Sequence, residues 1–184
     1  MRPDEQDLRK LLTQAMHGDG EAYDEFYRRT VESVAHYVRR FLPDSAVADC
    51  IQEVYLRLWQ TLPRYDPEHS SLTWLFMLTH RSIVDHARKL SSRRDIPTGT
   101  LPDGVAPPDH HLSEVSQITL ALPPELRTVL LLSAVLGFHY DEIAEIVDCP
   151  VGTVRSRLHA ARKRMAAQLD EPSTTAPTLY RHSS

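Results

Sequence analysis

The sequence predicts an all-α protein of two small helical units joined by a flexible linker, and three observations carry that prediction. Apolar residues recur at spacings of three and four along most of the chain, with no strand-like alternation. One stretch, Ser91 to His111, interrupts the pattern with four prolines, two glycines and scarcely an apolar pair. The length of 184 residues then leaves under a hundred for each flanking unit. An apolar share of 41% gives lean cores of the kind that suit small helical bodies completed by partners.

The elements follow in order. Leu8, Leu11, Leu12, Ala15 and Met16 predict a short helix ending at Gly18. Ala22, Phe26, Val31, Val34, Ala35, Val38 and Phe41 predict a second, from Glu21 to Leu42. Pro43-Asp44-Ser45 breaks it, and Asp44 or Ser45 is placed to cap the next. Val47, Cys50, Ile51, Val54, Tyr55, Leu58, Trp59 and Leu62 make the cleanest amphipathic stripe in the chain. Pro63 to Ser71 reads as a loop, with Ser70 or Ser71 capping a helix from Leu72 to about Leu90.

Ser91 to His111 cannot bury enough surface to order itself and reads as linker. Val115, Ile118, Leu120 and Leu122 resume the helical period. Another helix follows Pro123-Pro124 through Leu136, where Gly137 can end it in the left-handed conformation. The expected division is a first unit over 1–90, a linker over 91–111, a second unit over 112–168 and a disordered tail over 169–184.

Composition excludes several classes. No apolar run approaches the ~20 residues of a membrane span, so no membrane insertion is expected. The acidic, polar start Met1-Arg2-Pro3-Asp4-Glu5 lacks the apolar region of a secretion signal. Cys50 and Cys149, far apart in apolar patterns, do not form a disulfide framework, and a reducing cytoplasm is the expected compartment. None of the ten histidines forms a cluster with metal-ligand spacing, so neither a metal nor a cofactor is expected. No phosphate loop, nucleophile elbow or paired catalytic carboxylates are visible, which argues against an enzyme.

The net charge is only −4, but its distribution is uneven. Arg81 to Arg94 holds five bases against Asp85, and Arg155 to Arg164 holds five more with no acid. Between them, Asp95 to Asp148 carries nine acids and only Arg127. The stripes read either as two nucleic-acid footprints or as solvated helix faces.

Tyr140 to Met165 weighs in favour of nucleic acid. Ile143, Ala144, Ile146 and Val147 form the inner face of a short helix, and Ala144 is small enough for a steep helix crossing. Asp148-Cys149-Pro150 makes a tight break: Asp148 tolerates the turn, and Pro150 suits the first position of the next helix. That helix turns Val154, Leu158, Ala161 and Met165 inward and Arg155, Ser156, His159, Arg162 and Lys163 outward. A short helix, a tight turn and a basic second helix make a DNA-reading helix-turn-helix, against the alternative of a plain αα-hairpin. Arginine pairs bidentately with guanine, and serine bonds a base edge or a phosphate.

The segment Asp49 to Trp59 presents Asp49, Gln52, Glu53, Arg57 and Gln60 on its outer face, either a solvated surface or a docking surface for another protein. Leu72 to Lys89 mixes aromatic residues with bases, which suits stacking on unpaired bases while cations hold phosphates. Trp74 is equally placed to be core.

In this order the motifs resemble bacterial group 4 sigma factors, the extracytoplasmic function (ECF) class of the sigma-70 family. Asp49 to Trp59 resembles region 2.2 and Ser71 to Lys89 regions 2.3 and 2.4. Leu122-Pro123-Pro124-Glu125-Leu126-Arg127 through Gly137, Tyr140, Glu142-Ile143-Ala144 and Pro150 to Leu158 resembles region 4. The likeness covers residues 8 to 168, with no counterpart of regions 1.1 or 3, and Gly152 to Leu158 is its most specific part.

The resemblance implies that the two units are a region 2 bundle and a region 4 helix-turn-helix. It implies that Asp49, Gln52, Glu53, Arg57 and Gln60 dock on the β′ clamp helices of core RNA polymerase, while region 4 meets the β flap. It also implies that Arg64, His69, Ser70, Trp74, His80, Arg81, Asp85, His86 and Arg88 melt and capture the −10 element of promoter DNA. Pro150, Gly152, Thr153, Arg155, Ser156, Arg157, His159 and Arg162 would read the −35 element in the major groove. An anti-sigma factor would hold the protein inactive, and the acidic linker would thread a basic channel of the polymerase. The family commonly has Arg-Asn where this chain has His80-Arg81, and often Arg at the place of Ala160, so no promoter sequence is implied. The alternative is an autonomous helix-turn-helix repressor or activator that binds operators as a dimer, which leaves the Trp59 helix without a purpose.

Overall fold

The computed structural model describes residues 4–92 and 114–170, and they are helical throughout apart from short turns. The first unit is a four-helix bundle. Asp4 caps α1 (Glu5–Met16) by accepting the Gln6 N–H at 2.9 Å. Gly18, at φ +97°, turns the chain, and Asp19 caps α2 (Gly20–Val38) through the Ala22 N–H at 3.1 Å. α2 ends four residues before the predicted Leu42, because Phe41 and Leu42 both bond back to the Val38 carbonyl in a closing turn. The N-cap of α3 (Asp44–Thr61) is Pro43, with no side-chain cap, so neither Asp44 nor Ser45 takes the expected role. A 3₁₀ turn, Leu62–Arg64, leads to α4 (Ser71–Ser92). Ser70 Oγ accepts the Thr73 N–H at 3.2 Å, while Glu5 of α1 takes the Ser71 N–H and hydroxyl.

The second unit begins with α5 (Glu114–Ala121) and α6 (Pro124–Leu130). α6 runs on as a π turn, Leu131–Val135, in which the Leu136 N–H reaches Leu131 at 3.1 Å. Gly137, at φ +71°, then stops it as predicted, and the Phe138 N–H returns to Leu132 at 2.9 Å. α7 (Tyr140–Ile146) and α8 (Val151–Asp170) form the helix-turn-helix, with Asp148 at φ +51° in the turn. Pro150 sits just ahead of α8 rather than at its first position, and its carbonyl accepts the Thr153 N–H at 2.8 Å.

Two boundaries move. α4 runs two residues beyond 90 and α8 two beyond 168, so Ser91, Ser92, Leu169 and Asp170 are helix, not linker or tail. The rest of the predicted linker and tail lies outside the described residues, as do His110 and His111.

The larger difference is between the units. They share one continuous core, in which Leu8, Phe26, Tyr37, Leu58, Leu75 and Phe76 join Val129, Leu132, Phe138, Ile143, Val154 and Leu158. Phe76 and Phe138 meet edge to face at 5.2 Å, and Thr73 donates to Glu142 at 3.2 Å. Arg127 of α6 donates to the Arg40 carbonyl at 2.8 Å and lies 5.6 Å from the Phe41 ring. Burying Phe138 alone is worth about 1.5–3 kcal/mol. Linker composition predicts freedom between the units; the apolar faces of α4 and α7 instead cover each other here. No helix among the described residues is long and apolar enough to cross a membrane.

Candidate nucleic-acid interface

α8 carries the simplest surface. Val154, Leu158 and Ala161 are buried, which fixes its register as predicted, and Met165 is half-buried. That register leaves Arg155, Ser156, His159, Arg162 and Lys163 exposed. Among the described residues, no carboxylate lies within ion-pair distance of Arg155, Arg162, Lys163 or Arg164. An exposed helix face whose cations have no internal counter-charge is ready to neutralise phosphates. Pro150 and Gly152 are exposed at its start, and a side chain at Gly152 would meet only open space. Thr153 is half-buried, and its carbonyl accepts the Ser156 hydroxyl at 2.9 Å.

Arg157 departs from this set. It is half-buried, with one guanidinium nitrogen 4.0 Å from Cys149 Sγ. His80, which the resemblance places among the −10 contacts, lies on α4. His80 is half-buried, and its Nδ1 is buried without a hydrogen-bond partner among the described residues. Burial, then the positive charge of Arg157, then that of Arg81 push its pKa down to about 4.

The other −10 candidates divide. Arg64, Arg81 and Arg88 are exposed, and His69 is exposed with Nδ1 3.0 Å from Asp66. Ser70 is occupied as the α4 cap. Trp74 is half-buried and stacks on Tyr65, centroids 4.9 Å apart at 22°, so one indole face is already covered. Asp85 and His86 are tied to α3: Arg57 donates to Asp85 at 3.0 Å, and His86 Nε2 lies 2.8 Å from Glu53. Arg57 also pairs with Glu53, and Lys89 Nζ lies 3.9 Å from the same carboxylate. Burial works against ionising Glu53, but the His86 hydrogen bond and the Arg57 and Lys89 charges outweigh it, holding the carboxyl below its ordinary value. Two residues expected to touch polymerase and two expected to touch DNA therefore satisfy one another in one network. Asp49, Gln52 and Gln60 remain freely exposed on α3.

A feature that sequence reasoning missed lies on the opposite flank of α3. Tyr23, Tyr27 and Val31 of α2 face Ile51, Tyr55, Leu56 and Trp59 of α3 across an apolar groove of about 760 Å³. Leu56 is 53% exposed and Trp59 46%, although the stripe predicts Trp59 inside. Tyr23 packs edge to face on Trp59 at 4.8 Å, and Tyr27 on Tyr55 at 4.6 Å. The signal was present as Tyr23 and Tyr27 one turn apart, opposite an α3 stripe too wide for a single buried face. Among the described residues, no group of three or more His, Cys, Asp or Glu is placed to hold a metal ion. Cys50 is buried, which pushes its thiol up to about 12.

Comparison with known proteins gives the family. Residues 26–93 match the model of Sigma-70 region 2, and residues 112–165 that of Sigma-70, region 4. The ECF RNA polymerase sigma factor SigC of Mycobacterium tuberculosis is 30% identical over 178 residues, covering 94% of this chain and 96% of that one. The ECF RNA polymerase sigma-E factor of Escherichia coli K12 is 31% identical over 170 residues, covering 83% and 89%. Among solved structures, CnrH in complex with the cytosolic domain of CnrY superposes with a TM-score of 0.70 at 25% identity, covering 91% of this chain and 99% of that one. The sigma factor RpoE of Bartonella quintana, in complex with the anti-sigma factor NepR, shares the fold at 20% identity and TM-score 0.59, covering 78% and 96%.

Proposed function

This chain belongs to the ECF sigma factors of the sigma-70 family, and on that premise we propose how its surfaces divide the work of directing RNA polymerase to promoters. The observation that carries the division is the exposed α8 face, whose arginines have no internal counter-charge. It reads the −35 element as duplex, with Arg155 and Arg162 facing the major groove and Gly152 letting a phosphate come close. The α4 side, through exposed Arg81 and Arg88 and the loop residues Arg64 and His69, holds the −10 strand once it is unpaired. Trp74 contributes its free face or exchanges Tyr65 for a base.

Core polymerase docks on α3. Asp49, Gln52 and Gln60 supply polar contacts to the β′ clamp helices, and the adjoining groove of Tyr27, Leu56 and Trp59 supplies the apolar anchor such an interface needs. Region 4 rests on the β flap. An anti-sigma factor competes for these surfaces, as the complex of the Bartonella quintana sigma factor with NepR suggests. The protein performs no chemical step itself, works in the cytoplasm with the polymerase, and needs no cofactor.

Run-off transcription from a library of promoter-length DNAs, using sigma-free core polymerase with and without this protein, tests the reading. Transcripts that start downstream of one shared pair of motifs are expected. Absence of such transcripts, together with tight binding to bare duplex, would replace this reading with that of an autonomous repressor.

A further inference from the structure

α1 carries none of the residues assigned above to polymerase or DNA, and the region 2 match begins only at residue 26. Yet its first residue, Glu5, reaches the start of α4, 66 positions along the chain. One carboxylate oxygen accepts the Ser71 N–H at 2.5 Å and the Ser71 hydroxyl at 2.8 Å. The other accepts the Leu72 N–H at 3.4 Å. Ser70 Oγ takes the Thr73 N–H, and the Trp74 N–H bonds within the turn to the Ser70 carbonyl. Two of the three leading amides of α4, which have no partner in their own helix, are therefore satisfied from another helix. Ser71 is fully buried, so bulk water does not reach its hydroxyl.

The loop ahead of α4 is fastened to that same turn. Tyr65 is buried, donates its hydroxyl to the His69 carbonyl at 3.0 Å, and stacks on Trp74 in the first turn of α4. Burial, then the Glu5 charge, pushes the Tyr65 hydroxyl up to about 12, which keeps it a donor. Asp66 closes the loop on itself through the Glu68 N–H and the His69 ring, both at 3.0 Å. The loop is thus held to the first turn of α4, and that turn is held by Glu5. α1 is itself anchored, with Leu8 and Leu12 fully buried and Asp7 paired with Arg29 of α2 at 3.3 Å. Arg64, His69, Ser70 and Trp74, all expected at the −10 strand, sit on this one piece of structure.

We propose that Glu5 is a positioning residue for −10 capture: its carboxylate fixes the first turn of α4 and so sets the Arg64–Ser70 loop and Trp74 against the unpaired strand. The inference rests on the sigma-factor reading above. A base held by stacking and a few polar contacts is told from its competitors only while those groups keep their places. Without the carboxylate, two amides and a buried hydroxyl are left unpaired, and the turn frays towards water. The Tyr65–Trp74 stack then moves with it. A cap that served the bundle alone would, when lost, lower the folded population and weaken every promoter contact alike. A positioning residue instead changes how the −10 element is read and leaves the −35 element, read by the other unit, as it was. Glutamine at this place keeps an acceptor for Ser71 but turns an amide N–H towards the Leu72 N–H, donor against donor. Alanine removes all three bonds.

The test is run-off transcription by the full chain with sigma-free core polymerase, on the promoter that the library yields and on single-base variants of each element. Glu5→Ala is expected to lower the preference for the parent −10 sequence over its variants about tenfold, with the −35 preference unchanged. Glu5→Gln is expected to fall between Glu5→Ala and the parent, and it carries the same test if Glu5→Ala does not fold. Val34→Ala, which removes buried bulk from α2 and none of these bonds, is expected to keep both preferences. The place of Trp74 is read without polymerase, in a Trp59→Phe background where Trp74 is the one remaining tryptophan. There Glu5→Ala is expected to raise acrylamide quenching of Trp74 while circular dichroism shows the helix content retained. Equal losses at both elements, preferences unchanged in both Glu5 variants, or unchanged quenching would each overturn the role of Glu5 and leave the sigma-factor reading standing. A parent chain that starts no transcripts from a shared promoter overturns that reading, and the role of Glu5 with it.

Discussion

The two basic segments, 81–94 and 155–164, look alike as sequence and differ as structure. On α8 the bases stand alone: no acid shares the helix face, and no neighbour supplies one among the described residues. On α4, Asp85, His86 and Lys89 are drawn into a network with Glu53 and Arg57 of α3. The difference fits two tasks. A duplex is met from outside by a finished surface, whereas an unpaired strand has to be held in register beside the polymerase, and the α3–α4 network links the two candidate surfaces mechanically.

The comparison breaks first at Leu158, which is 1% exposed and seats α8. Leu158→Ala is expected to destabilise the chain by about 2–5 kcal/mol, read as a lower urea midpoint. An unchanged midpoint would mean that α8 is held elsewhere and that its outward face is misassigned. Next in size is Arg155→Ala. Loss of a bidentate contact to guanine costs about 1–3 kcal/mol, so promoter-directed transcription should fall roughly tenfold to a hundredfold. Binding to core polymerase should stay intact, and its loss would contradict the separation of the two surfaces.

Local signals in the sequence reached far into the fold. The break at Gly18, the stop at Gly137, the strained turn at Asp148 and the inward row Val154, Leu158 and Ala161 all follow from periodicity and turn chemistry. Contacts between the units did not follow. Phe76 and Phe138 are each an ordinary core residue by spacing, and nothing in their own segments says that they pack on each other across the predicted linker. His80 suffers from the same gap, since helix register gives its angle on α4 but not that its Nδ1 is buried. The α2–α3 groove was missed for a different reason: an apolar stripe of eight residues reads as one buried face, and only the neighbour's position decides that Trp59 lies outside it.

Two smaller effects sharpen the contrast. At Gly152 a methyl group meets open space in a helix. Gly152→Ala should therefore stabilise the free chain by up to about 0.5–1 kcal/mol. If a phosphate approaches there, as the proposed −35 surface requires, the same change should weaken promoter binding. Stabilisation without any loss of promoter binding would move the DNA backbone away from the start of α8.

The smallest effect is the most discriminating for α4. Arg57 and Asp85, with side chains 34% and 40% exposed, should couple by only about 0.2–1 kcal/mol in a double-mutant cycle on stability. Their coupling in transcription from promoters with altered −10 elements should be larger, because the pair sets where Asp85 sits as well as whether the bundle holds. Equal coupling in both measurements would make the network a plain bundle contact. In that case α4 would differ from α8 only in having its charges partly neutralised, and the case for a shared polymerase and −10 surface would fall to the exposed arginines alone.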